Sequence, residues 1–180
     1  DVLELIFAQT SQIIPSTYFH ISLYNKAANY FYYGFRVDGD ERMISYENQP
    51  LPTNLGLGQE IIRKGRPIIT QDYARECQSR NVTPSVQGIY TWMGVPLNAG
   101  AETIGALSVA SRDANITYTG GQLELLQAIA DQVATILRAD PHIRRVNQDW
   151  GERLKRVRVD VDEADVSRIK VGQAAYVTAD

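Results

Sequence analysis

A chain of 180 residues with 44% hydrophobic and 22% charged residues is large enough for one domain with a sizeable core and a tail, or for one domain and part of a second. The formal net charge of −3 gives no reason to expect nucleic acid or an anionic membrane surface as the main partner, and no apolar run approaches the roughly 20 residues needed for direct membrane insertion. A single cysteine and two distant histidines exclude an internal disulfide, argue against a metal site and favour a reducing, cytoplasmic location.

The N-terminal part of the chain predicts a helix followed by three strands. Apolar residues recur at helical spacing over 3–14, and the segment 18–24 alternates apolar with polar side chains, which is typical of a strand with two different faces. The aromatic-rich segment 30–37 predicts a second strand that pairs with the first as a hairpin. After a turn, the segment 43–46 is expected to return as a third strand.

The middle of the chain predicts short elements and then a second hairpin. These are a short helix at 58–67, a brief strand at 68–69, a helical turn at 72–80, and strands at 89–97 and 103–110. Gly65 is expected to end the short helix in a left-handed conformation, because it has no Cβ and Pro67 prevents continuation of the helix.

A capping box marks the start of the last predicted helix. Thr119 supplies a hydroxyl cap and Gln122 an amide at the third helical position, and an apolar stripe follows as far as Leu137. Sequential strands with helices at both ends favour an α+β fold with a mostly antiparallel sheet.

Four segments in this order resemble the GAF domain family, and the resemblance covers about residues 2–138. The segments are 55–68, 94–97, 104–110 and 125–134. The resemblance implies a six-stranded antiparallel sheet with the terminal helices on one face and short helices and loops over a ligand pocket on the other. Relatives bind cyclic nucleotides, bilins, haem, small metabolites or nothing, and their terminal helices usually form a parallel dimer.

Alternation along the first strand separates two sets of side chains. If Phe19, Ile21 and Leu23 face the terminal helices, then His20 and Ser22 must face the pocket. Cyclic-nucleotide-binding relatives use a polar residue at the position that matches His20, and a pocket histidine could hydrogen-bond an anionic or purine-like ligand. A histidine satisfied in the core or on the surface is the alternative interpretation.

Four further residues are candidates for the pocket. Aromatic rings suit a pocket wall, and Phe35 and Trp92 are selected on this ground, although sheet packing explains them equally well. Tyr73 and Cys77 fall in the segment that resembles the family's pocket cover. Bilin-binding relatives usually have His directly after the cysteine, whereas Gln78 follows here, so a bilin is not expected and Cys77 could instead be a small buried thiol.

These features predict a non-catalytic sensor domain of a signal-transduction protein. Methionine sulfoxide reductases of this fold need more than one cysteine, and no phosphate loop or nucleophile elbow is recognisable. The expected partners are an unidentified small ligand, a second copy of the chain, and an output domain of the histidine kinase or nucleotide cyclase type in the parent protein, with no resident cofactor. A ligand-free GAF fold used for dimerisation or docking is the alternative.

The C-terminal part has a different character. Residues 1–139 predict the sensor domain, 140–156 an arginine-rich linker, and 157–180 a β-rich tail with alternating valines. The stretch 159–173 resembles part of the β-barrel of membrane fusion proteins, the periplasmic adaptors. This resemblance leaves a further alternative, in which the chain is part of an export adaptor and the tail a fragment of a second domain.

Overall fold

In the computed structural model of the protein, the structure describes residues 1–139. The predicted linker at 140–156 and the β-rich tail at 157–180 lie outside the described residues. None of the helices within residues 1–139 combines the length and the apolar character that a bilayer crossing requires.

The described residues form six strands, four α-helices and a short 3-10 helix. In chain order they are α1 (Val2–Ile13), β1 (Tyr18–Asn25), β2 (Tyr30–Asp38), β3 (Glu41–Arg42), a 3-10 helix (Ile44–Tyr46), α2 (Leu57–Lys64), β4 (Ile68–Thr70), α3 (Tyr73–Ser79), β5 (Thr91–Ala99), β6 (Glu102–Ser111) and α4 (Gly120–Ala139). The strands form one antiparallel sheet in the order β3-β2-β1-β6-β5-β4. This architecture confirms the expected α+β fold.

The predicted third strand is wrong in its position. The strand β3 has only two residues, and the segment expected to be a strand forms the 3-10 helix Ile44–Tyr46 instead. The reason is the hydrogen bond of the Arg36 backbone N–H. This N–H donates to the Glu47 carboxylate at 3.1 Å and not to a carbonyl of a neighbouring strand. A side chain thus replaces the strand partner, and the backbone is free to turn.

The first face of the sheet is covered by α1 and α4. Its core joins strand residues such as Phe19, Ile21 and Leu107 to the apolar stripe of α4, where Leu126 and Val133 are fully buried. The long capped helix α4 lies against β5 and β6. This face carries the larger of the two buried apolar clusters, and removing such side chains from water stabilises the domain.

The second face is covered by α2 and α3. Leu57 and Ile61 of α2 and Tyr73 of α3 form a second buried cluster with Trp92 of β5. Residues of β6 that face α2 are small, including Ala106. The small side chains allow the helix to lie close to the sheet.

Two local signals in the sequence are confirmed. Gly65 follows α2 with φ of 66°, a left-handed conformation that glycine adopts without strain. At the start of α4, the Gln122 backbone N–H donates to Thr119 Oγ1 at 3.2 Å and the Thr119 N–H donates to Gln122 Oε1 at 2.9 Å. These reciprocal bonds are those of a capping box.

Candidate ligand-binding site

The first strand divides its side chains as predicted. Phe19 and Ile21 belong to the core under α1 and α4, whereas His20 and Ser22 lie on the opposite face and are only 2% and 3% exposed. A Cβ at Gly58 of α2 would be 2.9 Å from Ser22 Oγ and 3.5 Å from His20 Nε2. The absence of a side chain at Gly58 therefore lets α2 cover these two residues closely.

The expectation that Phe35 lines the pocket is wrong. Phe35 is fully buried on the other face, with its ring 5.8 Å from that of Phe19 and 6.3 Å from that of Phe7 in α1. The register of β1 and β2 shifts because Ile21 pairs with Phe35 whereas Ser22 pairs with Tyr33, which leaves Gly34 as an extra residue. Because of this extra residue, every β2 side chain after Gly34 lies on the face opposite to the one that regular alternation predicts.

The bulge brings Arg36 to the second face. In the sheet register, Ser108 of β6 pairs with His20 of β1, and His20 pairs with Arg36 of β2. Directly opposed residues of antiparallel strands point to the same face, with neighbouring Cβ atoms about 5 Å apart. Ser108, His20 and Arg36, which we call the central row, therefore lie side by side across three strands.

Aromatic rings surround the positive end of the central row. The guanidinium carbon of Arg36 lies 5.3 Å from the ring centre of Tyr18, 5.1 Å from that of Tyr33 and 4.9 Å from that of Tyr46. The ring of His20 is 5.0 Å from that of Tyr18. Cation–π contacts of this kind hold the guanidinium in place without neutralising its charge.

His20 is a neutral imidazole at physiological pH. Burial, together with the positive charge of Arg36, lowers the pKa of His20 to about 3. A neutral imidazole provides one N–H donor and one acceptor nitrogen. The central row thus carries a single formal charge, that of Arg36.

Several buried polar atoms on this face have no hydrogen-bond partner within residues 1–139. They are Tyr18 Oη, His20 Nδ1, Arg36 Nε, Trp92 Nε1 and Ser108 Oγ. Leaving a buried polar group unpaired costs on the order of 1–3 kcal/mol, and most buried polar groups in native proteins are paired. Buried polar atoms without protein partners can be satisfied by buried water or by a bound polar molecule.

The remaining predicted residues lie at the α3 side of the same face. The ring of Tyr73 stacks on Trp92 at 6.1 Å, and the Tyr73 hydroxyl forms a hydrogen bond with Ser85 Oγ at 3.1 Å. Cys77 is fully buried beside them, and burial raises the pKa of its thiol. A buried neutral thiol is a poor nucleophile, so this residue serves the core.

The structure therefore brings five of the six predicted residues to one face of the sheet. They are His20, Ser22, Tyr73, Cys77 and Trp92. The sequence analysis missed Tyr18, Arg36 and Ser108. Simple alternation along β1 and β6 predicts that Tyr18 and Ser108 lie on this face. The face on which Arg36 lies depends on the bulge, and no local sequence pattern predicts the bulge.

A separate surface depression of about 510 Å³ lies at the end of α2 and the β5–β6 hairpin, among residues such as Lys64, Asn98 and Thr103. It includes none of the predicted site residues. Within the described part of the chain, no group of three or more His, Cys, Asp or Glu side chains is arranged to hold a metal ion.

Solved structures with the same fold come from several bacterial proteins. The GAF domain of an Acinetobacter phosphoenolpyruvate-protein phosphotransferase is 13% identical with a TM-score of 0.63, covering 81% of this chain and 84% of that one. The GAF domain of a two-component sensor histidine kinase from Bacillus halodurans is 10% identical with a TM-score of 0.59, covering 77% and 92%. At such identities the likeness shows the fold alone.

An enzyme also shares the fold. A type II free methionine-R-sulfoxide reductase from Thermoplasma acidophilum is 16% identical with a TM-score of 0.57, covering 77% of this chain and 96% of that one. A comparison with curated proteins gave no match.

The sequence itself matches a family model. The model described as GAF domain matches residues 1–138, the same part of the chain that forms the six-stranded sheet and its four helices. The chain therefore belongs to the GAF domain family.

Proposed function

We propose that residues 1–139 form a non-catalytic sensor domain that binds a small molecule on the second face of the sheet. The observation that carries the proposal is the set of unpartnered buried polar atoms around the central row. A bound molecule supplies the missing partners and recovers the free energy that each unpaired atom costs. The domain would regulate an output domain of the histidine kinase or cyclase type in a cytoplasmic parent protein.

The names of structural neighbours support a regulatory role. One neighbour is a GAF domain of a two-component sensor histidine kinase, and another is part of a methyl-accepting chemotaxis protein. The reductase with this fold is an exception, but the only cysteine here, Cys77, is buried and its pKa is raised. Catalysis through a thiolate is therefore not part of the proposal.

The structure offers a connection from the site to the first helix. Glu47 accepts a hydrogen bond from the backbone N–H of Arg36 and pairs with Arg42 Nη2 at 3.0 Å. Arg42 Nη1 also contacts Asp1 at 2.7 Å and Glu4 at 2.6 Å, at the start of α1. A ligand that moves Arg36 would shift this network, and a coupling of about 1–3 kcal/mol is typical of such switches.

The terminal helices would pass the signal on through a dimer. Val2, Leu5 and Ile13 of α1 are more than half exposed and occupy one stripe of the helix, and Leu125 of α4 is 40% exposed. A second copy of the chain that covers this stripe would remove apolar area from water.

A second candidate function is docking or dimerisation without a ligand. The close approach of α2 to His20 and Ser22 favours it, because Gly58 leaves little room above these two side chains. The two functions differ in whether a small molecule stays with the purified protein.

Native mass spectrometry of protein purified without added ligand tests the proposal, and two tyrosine variants provide a matched pair. Tyr18 Oη forms no hydrogen bond of normal geometry within residues 1–139, although the nearby Tyr33 hydroxyl contributes to raising the pKa of Tyr18. The Tyr118 hydroxyl, in contrast, donates to the carbonyl of Pro15 at 2.9 Å under the terminal helices. We expect a bound small molecule in wild type and in Tyr118→Phe, and a reduced bound fraction in Tyr18→Phe.

The same variants separate binding from stability. Tyr118→Phe should lower the free energy of unfolding of the ligand-free protein by about 1 kcal/mol, whereas Tyr18→Phe should leave it unchanged or raise it. If the purified protein carries no small molecule and no added small molecule stabilises it, the sensor proposal fails and docking without a ligand becomes the supported function.

A further inference from the structure

We propose that the ligand of this domain is a small organic acid that binds as a monoanion, with its carboxylate on the Arg36 guanidinium. This inference rests on the proposed function and deepens it by naming the chemical class of the ligand. It follows from the charge balance of the central row and from the groups around it.

Arg36 has no anionic partner of its own. Among residues 1–139, the ion pairs of arginine side chains involve Arg42, Arg63, Arg80 and Arg112, and Arg36 is not one of them. Its Nε is buried without an acceptor. The Arg36 side chain as a whole is half-buried, and a carboxylate can pair with the planar fork of a guanidinium through two parallel hydrogen bonds, as a phosphate also can.

Two carboxylates that flank Arg36, one two residues further along β2 and one bonded to the Arg36 backbone N–H, are held by other cations. Glu47 pairs with Arg42 at 3.0 Å, and Asp38 accepts two hydrogen bonds from Arg112, one of them at 3.0 Å. Neither carboxylate is free to neutralise Arg36. The positive charge of the central row is therefore left for a molecule from outside the chain.

The neighbouring groups favour one negative charge and an apolar body. His20 is neutral because burial lowers its pKa, so it adds no second cation. The buried hydroxyl of Tyr18, whose ring centre is 5.3 Å from the guanidinium carbon of Arg36, can donate a hydrogen bond to an oxyanion, and aromatic rings form the surrounding walls. A dianion would have only one formal charge opposite it.

A comparison of carboxylates with their amides tests the ligand class in the wild-type protein. The probes are sodium acetate with acetamide, sodium isovalerate with isovaleramide, and sodium benzoate with benzamide, each measured by thermal unfolding and calorimetry. Because a ligand stabilises the state that binds it, we expect at least one carboxylate to raise the Tm and its amide to have no effect. The amide keeps the shape of the acid and removes only the charge.

Variants of Arg36 test the assignment of the residue. Arg36→Met should weaken carboxylate binding by about tenfold or more, since a charge-assisted bond is lost. Arg36→Lys keeps the charge without the planar fork and should bind with intermediate affinity. Arg75→Met is the matched control, because Arg75 is exposed on α3 and forms no ion pair within the described residues, and it should bind as wild type does.

Three results would overturn the proposal. They are stabilisation by an amide equal to that by its acid, unchanged carboxylate binding in a folded Arg36→Met variant, and no response to any of the three acids. If a neutral molecule is found on the purified protein, the proposal of an anionic ligand is wrong and the proposed sensor function still stands. The absence of any bound molecule, together with no response to acids or amides, would reject both.

Discussion

At the scale of the residue, the fold places a titratable group where it cannot be charged. His20 lies between Ser108 and Arg36 in the central row, and its ring packs against those of Tyr18 and Tyr33. Both burial and the Arg36 charge disfavour the imidazolium, which is why the pKa falls to about 3. The unfolded chain takes up this proton near pH 6.5.

The difference in pKa predicts a stability that depends on pH. Between about pH 6.5 and pH 3 the unfolded state binds more protons than the folded state, so His20 makes stability fall as the pH falls through this range. Between pH 7 and pH 5, wild type should lose about 2 kcal/mol more free energy of unfolding than His20→Gln. Urea denaturation at both pH values measures these free energies of unfolding. Equal losses of free energy in the two proteins would show that His20 is protonated in the folded state.

At the scale of the element, the parts that the sequence predicts are those with local causes. The helical stripe of α1, the alternation of β1 and the capping box at Thr119 each depend on neighbours within a few residues. The extra residue Gly34 and the Glu47 carboxylate that replaces a strand act through distant pairings. For this reason Phe35 and the third strand were predicted wrongly, and Arg36 was missed.

The network at Arg42 gives a prediction for the attachment of α1. Replacing Arg42 with Met removes the partner of Glu47, whose side chain is only 5% exposed, and releases Asp1 and Glu4. We expect Arg42→Met to lower the free energy of unfolding by about 1–3 kcal/mol. Amide hydrogen exchange in the first turn of α1 should also become faster.

An exposed ion pair serves as the control for this change. Lys26 and Glu102 are 3.2 Å apart with side chains 79% and 58% exposed. Lys26→Met should change stability by less than about 0.5 kcal/mol. If both substitutions have the same small effect, the Arg42 network does not hold α1 to the sheet.

At the scale of the whole molecule, the exposed stripe of α1 predicts self-association. Leu5 and Ile13 are 58% and 52% exposed on the same side of the helix, so a second copy of the chain can bury them. Wild type should be dimeric at micromolar concentration in sedimentation experiments, and the double substitution Leu5→Lys with Ile13→Lys should give monomers.

The control is a residue of similar exposure elsewhere. Tyr90 is 52% exposed in the loop before β5, and Tyr90→Lys should leave the dimer intact. A wild-type protein that stays monomeric at high micromolar concentration would show that the stripe has another partner or none.

A high-resolution crystal structure of the protein purified without added ligand tests the ligand site most directly. We predict electron density of a small molecule within hydrogen-bond distance of Arg36 Nε, His20 Nδ1 and Tyr18 Oη, the atoms that lack partners within residues 1–139. The contradicting result is a structure in which these atoms are satisfied by protein groups or by water alone and remain so after soaking with the carboxylates.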